Sequence, residues 1–466
     1  MSAGSAPDAG RAAIEAAIRD LGGPDGPGAP PPPDLAARRG HLEALARAVR
    51  RAGDEIAAAI SEDFGHRPRP ETLLTEVAMV LEAVRHARRN LRCWTRTRRV
   101  VLPPHLWPSR AEIRREPLGL VGLHAPWNYP VQLALVPLVA ALAGGNRVIL
   151  HPSEGTPRTA DLLARLLHDA LPGRVRVVTG GAEIARALAE TPLGLMFFTG
   201  STATGRRVME ACAHTLTPVV LELGGKSPAI LRADADLDAA AASVAAGKLL
   251  NAGQTCVAPD YVLVPRARME AFEAALARAA ATLYPDPEGP DYATLAAAGD
   301  RARLEAMLEG AEARPLMDPM PAAPRMGFWA VIDPPGGHPS MTGEIFGPVL
   351  PLIPYDTPEE ARAFVAARPV PLALYVYGAD EAAALGDVAA LRSGGAMVNE
   401  AVQHVGVMSL PFGGQGDSGL GAYHGEEGFR AFTRPRSVVV ARRSAARLVR
   451  PPYGRTIERV LGLLMR

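Results

Sequence analysis

The chain has 466 residues, 48% apolar and 21% charged. At roughly 100–200 residues per domain this predicts two or three domains and excludes a disulfide-stapled miniprotein, wholesale disorder and a fibrous repeat. Lys+Arg 50 against Asp+Glu 49 leaves a formal charge of +1, so no overall field draws the chain to nucleic acid or an anionic membrane, and a small molecule is the expected partner. The three cysteines, Cys93, Cys212 and Cys256, are too few and too irregularly placed for a disulfide framework or a metal site, and they suit a reducing, cytoplasmic compartment.

Met1 to Arg11 lacks the basic and apolar blocks of a secretory signal. Gly22–Asp34 (GGPDGPGAPPPPD) reads as an extended linker after a short N-terminal helix. Asp34 then caps a helix in which Leu42, Leu45, Val49, Ile56 and Ile60 recur at helical spacing, and a second helical stretch runs from Glu71 to about Leu91. From Leu118 short apolar runs alternate with helical ones. Strands are expected at Leu118–Leu123, Arg147–His151, Arg174–Val178, Leu195–Thr199 and Val219–Glu222, with helices at Val131–Gly144, Thr156–Leu171, Ala182–Glu190 and Ser201–His214. Val131–Leu150 is too interrupted, by Gln132, Pro137, Asn146 and Arg147, to span a membrane, and reads as a buried helix running into a strand. This alternation means an α/β fold with a doubly wound parallel sheet, whose ligand sits beyond the strand ends where His151, Thr199 and Glu222 lie. A second α/β stretch runs from about Ala229 to Leu410, with helices near Ala239–Leu250 and Met269–Leu283 and strands near Val262–Val264, Val349–Ile353 and Leu372–Tyr377. Pro285–Pro339, rich in Pro, Gly and Ala, yields no assigned element.

Cys256, in the small polar turn Asn251-Ala-Gly-Gln-Thr-Cys256, is placed as a nucleophile, although alone it reads more readily as an inert buried thiol. Glu222 ends a strand before Leu-Gly-Gly-Lys226, a position for a general base or merely a solvated acid. Asn128, in a turn fixed by Pro126 and Pro130, offers an amide to an oxyanion or only to its own backbone. Gly200-Ser-Thr-Ala-Thr-Gly205 follows a strand and opens a helix, as a pyrophosphate site does, without matching the dinucleotide fingerprint. The arginine run from Arg85 to Arg99 has no accompanying aromatic platform and reads as a solvated helix face, so no nucleic-acid partner is expected. In the tail, Ile457, Val460, Leu461 and Leu464 share one helical stripe, which suits packing on protein better than contact with a membrane surface.

Taken together and in order, Pro126-Trp-Asn128-Tyr-Pro130, Phe198-Thr-Gly200-Ser201, Leu221-Glu222-Leu-Gly-Gly-Lys226, Gly253-Gln-Thr-Cys256, Glu344-Ile-Phe346-Gly-Pro348 and Pro411-Phe-Gly-Gly414 resemble the aldehyde dehydrogenase superfamily. Gly253–Asp260 and Gly421–Phe429 resemble its class 3 and coniferyl aldehyde dehydrogenase branch. The resemblance implies a cofactor domain at 35–222, with 95–117 contributing oligomerisation strands, a catalytic domain at 223–410, a return at 411–442 and a tail at 443–466, with 1–34 as the leading helix and linker. It implies that Cys256 attacks an aromatic or medium-chain aldehyde, that Asn128 holds the oxyanion, and that Glu222 activates the water that releases the acid, which favours hydrolysis over transfer to CoA. It places NAD, with NADP as the alternative, on His151, Ser153, Glu154, Gly200, Ser201, Gly205, Leu223, Glu344 and Phe346, with no metal. His151 stands where the family has lysine, which implies weaker cofactor binding and leaves a catalytically silent scaffold as the other reading; Glu154 implies NAD over NADP. Ala111–Arg115 and Ser437–Ala441 would supply the strands of a homodimer.

Overall fold

The apolar runs between residues 120 and 223 form a six-stranded sheet in the computed structural model, which describes residues 6–26, 28–297, 299–442 and 451–465. Leu120–His124 lies centrally, flanked by Arg147–His151 and then Val175–Val177 on one side and by Leu195–Gly200 and then Val219–Leu223 on the other, all parallel. The winding therefore reverses beside Leu120–His124, and a crevice opens beyond the strand ends there. Gly419–Leu420 returns antiparallel to Val219–Leu223, setting Gly419 opposite Glu222. The intervening helices Gln132–Gly144, Pro157–Ala170, Ala182–Ala189 and Thr202–Ala213 match the expected ones to within a few residues. Gln132–Gly144 is buried along its whole length and runs into Arg147–His151.

The second sheet has seven strands in the order Glu312–Pro315, Trp329–Ile332, Val349–Tyr355, Tyr261–Pro265, Pro228–Leu231, Ala373–Tyr377 and Gly395–Val398. Only the first pairing is antiparallel. Pro228–Leu231, Glu312–Pro315, Trp329–Ile332 and Gly395–Val398 were not expected from the sequence. Each is four residues long, too short to establish a period, and two of them fall in the Pro-rich stretch. Arg98–Val100, Arg110–Pro117 and Thr433–Val440 form a separate three-stranded antiparallel sheet, with the last two paired along their full lengths. Those two strands are longer than the expected Ala111–Arg115 and Ser437–Ala441.

The expected helix after Asp34 is two helices, Leu35–Arg51 and Gly53–Phe64. Ala52 leaves helical geometry (φ −89°, ψ 8°) just before Gly53, the weakest helix former in that run. Asp34 does cap, accepting from Ala37 N–H at 2.8 Å. The stretch from Glu71 is divided into Arg69–Thr72, a π turn at Leu73–Ala78, and Met79–Trp94. Nor does the linker hold the N-terminal helix apart. Ile14, Ala17 and Leu21 of Ala6–Asp20 and the residue that follows it pack into one cluster with Ile184 and Leu188, while Asp25 accepts from Leu120 N–H at 2.7 Å and pairs with Arg147 at 2.6 Å. Proline rigidity lets the segment run past the starts of the central strands at little entropic cost.

Arg455–Leu464 forms the expected tail helix with Leu461 exposed; the side chains of Val460 and Leu464, and residues 443–450, lie outside the described ones. Among the described residues, no helix is long and apolar enough to cross a membrane.

Asn146 holds three segments together. Its Oδ1 accepts from Leu118 N–H (2.7 Å) and Gly119 N–H (3.1 Å), and its Nδ2 donates to the carbonyls of Ala141 (3.0 Å) and Phe432 (2.8 Å). At 1% exposure, water cannot replace these bonds. Asn146→Ala is expected to destabilise the protein by about 3 kcal/mol, because several buried polar groups lose their partners at once. Urea unfolding followed by circular dichroism checks this, and an unchanged midpoint would refute it.

Candidate active site

The loop carrying Cys256 leaves the helix Leu237–Leu249 through an unusual backbone. Asn251, Ala252 and Gly253 have φ of +52°, +51° and +79° in succession, two of them at non-glycine residues that disfavour this region. Hydrogen bonds hold the loop there. Gln254 Nε2 donates to the carbonyls of Asn251 (2.9 Å) and Thr294 (3.0 Å), and its Oε1 accepts from Ala296 N–H (2.9 Å). Tyr129 and Thr255 share a hydroxyl–hydroxyl bond at 2.7 Å, and Tyr375 donates to the Val257 carbonyl at 2.5 Å. Gly253 cannot carry a side chain: a Cβ would lie 2.5 Å from the backbone of Gly347. That contact seats the cysteine loop on the Glu344–Pro348 loop.

Asn128 reaches this loop from the first sheet. Its Nδ2 donates to the Gln254 carbonyl at 3.0 Å, and Asn251 Nδ2 donates to the Asn128 carbonyl at 3.0 Å and to the Gln254 carbonyl at 3.3 Å. Cys256 is half-buried in the wall between two cavities. One is a cleft of about 380 Å³ beyond the strand ends, lined by Asn128, Ser153, Glu154, Gly200, Ser201, Glu222, Leu223, Cys256, Glu344 and Phe346 among others. The other, about 420 Å³, is mainly apolar and includes Leu74, Met79, Leu250, Val257, Val402 and Val405. Leu133, Cys256, Phe412 and Tyr423 line both.

The electrostatics oppose charge in the free site. Burial, with Glu344 and Glu222 nearby, pushes the Cys256 thiol up to about 12. Burial also raises the Glu222 carboxyl well above the usual range, and neither of its oxygens has a partner. Glu344 is raised to about 8 by burial and by Asp260, and its Oε1 is likewise unpartnered. It lies against Gly224, where a Cβ would meet Glu344 Oε2 at 1.9 Å. Asp260 in turn pairs with Lys226 and accepts from Ile345 N–H at 3.0 Å, fixing the backbone next to Glu344.

Of the residues expected at the cofactor, Ser153, Glu154, Gly200, Ser201, Leu223, Glu344 and Phe346 line the cleft, whereas His151 and Gly205 do not. His151 is fully buried; its Nδ1 is 2.8 Å from the Val178 carbonyl and its ring stacks on His124, which stacks on Phe198. The shorter imidazole finds partners within the sheet instead of reaching outward as a lysine would. Gly205 packs on Leu223, leaving no room for a Cβ. Ser201 caps the helix Thr202–Ala213 through its hydroxyl. Thr199 adds an unpartnered buried hydroxyl to the cleft. Thr199 lies at the cleft as its strand-end position implies, whereas His124, Phe412 and Tyr423 were not assigned to the site from the sequence, because only the packing of distant segments brings them to the cavity walls.

Comparison with known proteins agrees with this geometry. The model of the aldehyde dehydrogenase family matches residues 8–438. A probable coniferyl aldehyde dehydrogenase of Pseudomonas aeruginosa is 40% identical over 440 residues, covering 93% of this chain and 92% of that protein. The substrate-bound structure of Staphylococcus aureus AldH superimposes with a TM-score of 0.87 at 32% identity, covering all of both chains. A Mycobacterium tuberculosis aldehyde dehydrogenase complexed with NAD+ gives a TM-score of 0.82 at 29% identity over 93% of this chain and 90% of that one. The chain belongs to the aldehyde dehydrogenase family, a family of oxidoreductases.

Because the free thiol is raised to about 12, its thiolate fraction grows with every step in pH below that value. Alkylation of the Cys256 peptide by iodoacetamide, followed by mass spectrometry, is expected to accelerate by about tenfold per pH unit from pH 7 to 10. A plateau below pH 9 would contradict the burial argument.

Proposed function

We propose that this protein oxidises an aromatic or medium-chain aldehyde to its carboxylic acid with NAD. The observation that carries this is the position of Cys256 between an apolar cavity suited to the aldehyde and a polar cleft suited to a dinucleotide. The cleft residues fit such a cofactor: the N-terminus of Thr202–Ala213 attracts a pyrophosphate, and the unpartnered Thr199 and Glu344 oxygens are left for the ligand's polar groups. Bound there, NAD supplies the acceptor for the hydride that leaves the aldehyde carbon.

The roles of the chain's own residues follow. Cys256 releases its proton to solvent, Sγ adds as the thiolate to the carbonyl carbon, and the oxygen takes up the negative charge. One Asn128 amide proton is held by the Gln254 carbonyl, which fixes the amide and leaves the second proton for that oxygen, together with the Cys256 backbone N–H. Loss of hydride leaves a thioester. Glu222, unpaired and desolvated, is a strong base once ionised; it takes a proton from water as the oxygen attacks the thioester, and the acid departs with Cys256 restored. Raised proton affinity means that this step gains rate as pH rises through the range in which Glu222 ionises.

Glu154, an exposed carboxylate at the cleft margin, suits a ribose hydroxyl and repels a 2′-phosphate. The outer edge of Thr433–Val440, with Val439 exposed, is available to a second copy, which supports a homodimer, and the three free cysteines suit the cytoplasm.

With an aromatic aldehyde and NAD, Cys256→Ser is expected to abolish the rise in NADH absorbance. Glu222→Gln is expected to release about one NADH per site rapidly and then lose steady turnover by about 100-fold or more, because the thioester persists. Steady turnover in Cys256→Ser would overturn the proposal. Titration of the pure protein is expected to show tighter binding of NAD than of NADP, and the reverse order would remove the role given to Glu154.

A further inference from the structure

Arg67 is fully buried between the helix Gly53–Phe64 and the turn Arg69–Thr72, and the mechanism above leaves it unused. Its Nε donates to Glu71 Oε1 (3.1 Å), and its Nη1 donates to Glu76 Oε1 (2.7 Å) and to the Asn128 carbonyl (3.3 Å). Its Nη2 donates to Thr75 Oγ1 (3.2 Å), and the guanidinium lies over the Tyr129 ring at 4.6 Å. The second oxygen of Glu76 accepts from Val131 N–H (2.9 Å) and Gln132 N–H (2.6 Å).

The ion pair thus grips both ends of the turn that presents the Asn128 side chain. Arg67 holds the carbonyl of Asn128 itself, and Glu76 holds the two N–H groups where the turn enters the helix Gln132–Gly144. Glu76 lies on the π turn Leu73–Ala78, a local helix distortion of the kind found where function fixes a side chain's direction. Stability alone is a weak reason for this arrangement, since a buried ion pair commonly contributes no more than a well-packed apolar pair of the same volume. Desolvation opposes the charge on both partners; at Arg67 the two glutamates outweigh it and hold the guanidinium protonated, whereas at Glu76 Arg67 offsets it only in part and the carboxyl stays raised.

We propose that Arg67, acting with Glu76, is a positioning residue that sets the direction of the Asn128 amide toward the oxyanion. This rests on the role given to Asn128 above. A misdirected donor lowers the rate of the chemical step more than it lowers aldehyde binding.

The test measures kcat and aldehyde KM, normalised to the native fraction, for Arg67→Met, Arg67→Lys and Glu76→Gln, each alone and combined with Asn128→Ala. Arg67→Met is expected to lower kcat by about 10- to 100-fold with KM changed by less than about threefold. Arg67→Lys keeps the charge facing Glu71 and Glu76 but loses the planar fork, and its kcat is expected between wild type and Arg67→Met. Glu76→Gln keeps an acceptor for Val131 and Gln132 and carries the test, with Arg67→Lys, if Arg67→Met does not fold. In the Asn128→Ala background each of these substitutions is expected to change kcat by less than about twofold, because the group they position is gone. An undiminished kcat in the folded variants, a loss confined to KM, or an equal loss in both backgrounds would overturn the proposal. Undiminished kcat in Asn128→Ala would overturn the oxyanion role of Asn128 itself, and the inference with it.

Discussion

Asn251 Nδ2 donates to the carbonyls of both Asn128 and Gln254, and the rest of the site depends on that shared contact. Asn128 belongs to the turn that follows the central strand of the six-stranded sheet, whereas Gln254 and Cys256 belong to a loop preceding a strand of the seven-stranded one. Two cores, each with its own apolar cluster, therefore meet at a few buried polar atoms. Buried amides and carbonyls are costly unless paired, so the pairing fixes how closely the two segments approach. The left-handed backbone at Asn251 and Ala252 is the strain this geometry requires, and the Gln254 bonds compensate for it.

A second constraint is that burial outweighs countercharge, since Lys226 and Lys248 lower Glu344 by less than burial and Asp260 raise it. Glu222 and Glu344 both carry oxygens without partners beside a thiol that burial keeps neutral. A fold selected only for stability would pair or remove such groups, as it does at Asp260 with Lys226. Keeping carboxylates bare raises their proton affinity and makes them poor contributors to folding. The contrast within one small region separates groups that hold the site in shape from groups left open for a ligand.

The cleft beyond the strand ends shows the same economy of contacts. His124, His151 and Phe198 face one another across adjacent strands and stack into a ladder of three rings below the cleft, which gives the floor of the cleft an apolar, uncharged character. Burial pushes His124 down to about 3, so the ladder stays neutral across the physiological range. Positive charge is thereby absent from this ladder, and the cap at Ser201 and the helix N-terminus provide the electropositive edge of the cleft instead.

The sequence by itself determined the alternation of strand and helix from Leu118 onward, because short apolar runs alternate there with stretches of helical spacing, bounded by glycine, proline and capping residues. It also made legible the order of the motifs around Asn128, Glu222, Cys256 and Glu344, since each is a short run of distinctive residues readable without the fold. Strands of four residues, such as Pro228–Leu231 and Gly395–Val398, were invisible because their partners, not their own pattern, make them strands. Only the tertiary structure decided that His151 stacks inward, that Asp25 ties the proline linker to the sheet, and that Arg67 and Glu76 converge on the Asn128 turn. Each is a contact between segments distant along the chain, and local propensity carries no information about which buried charge or ring will meet which.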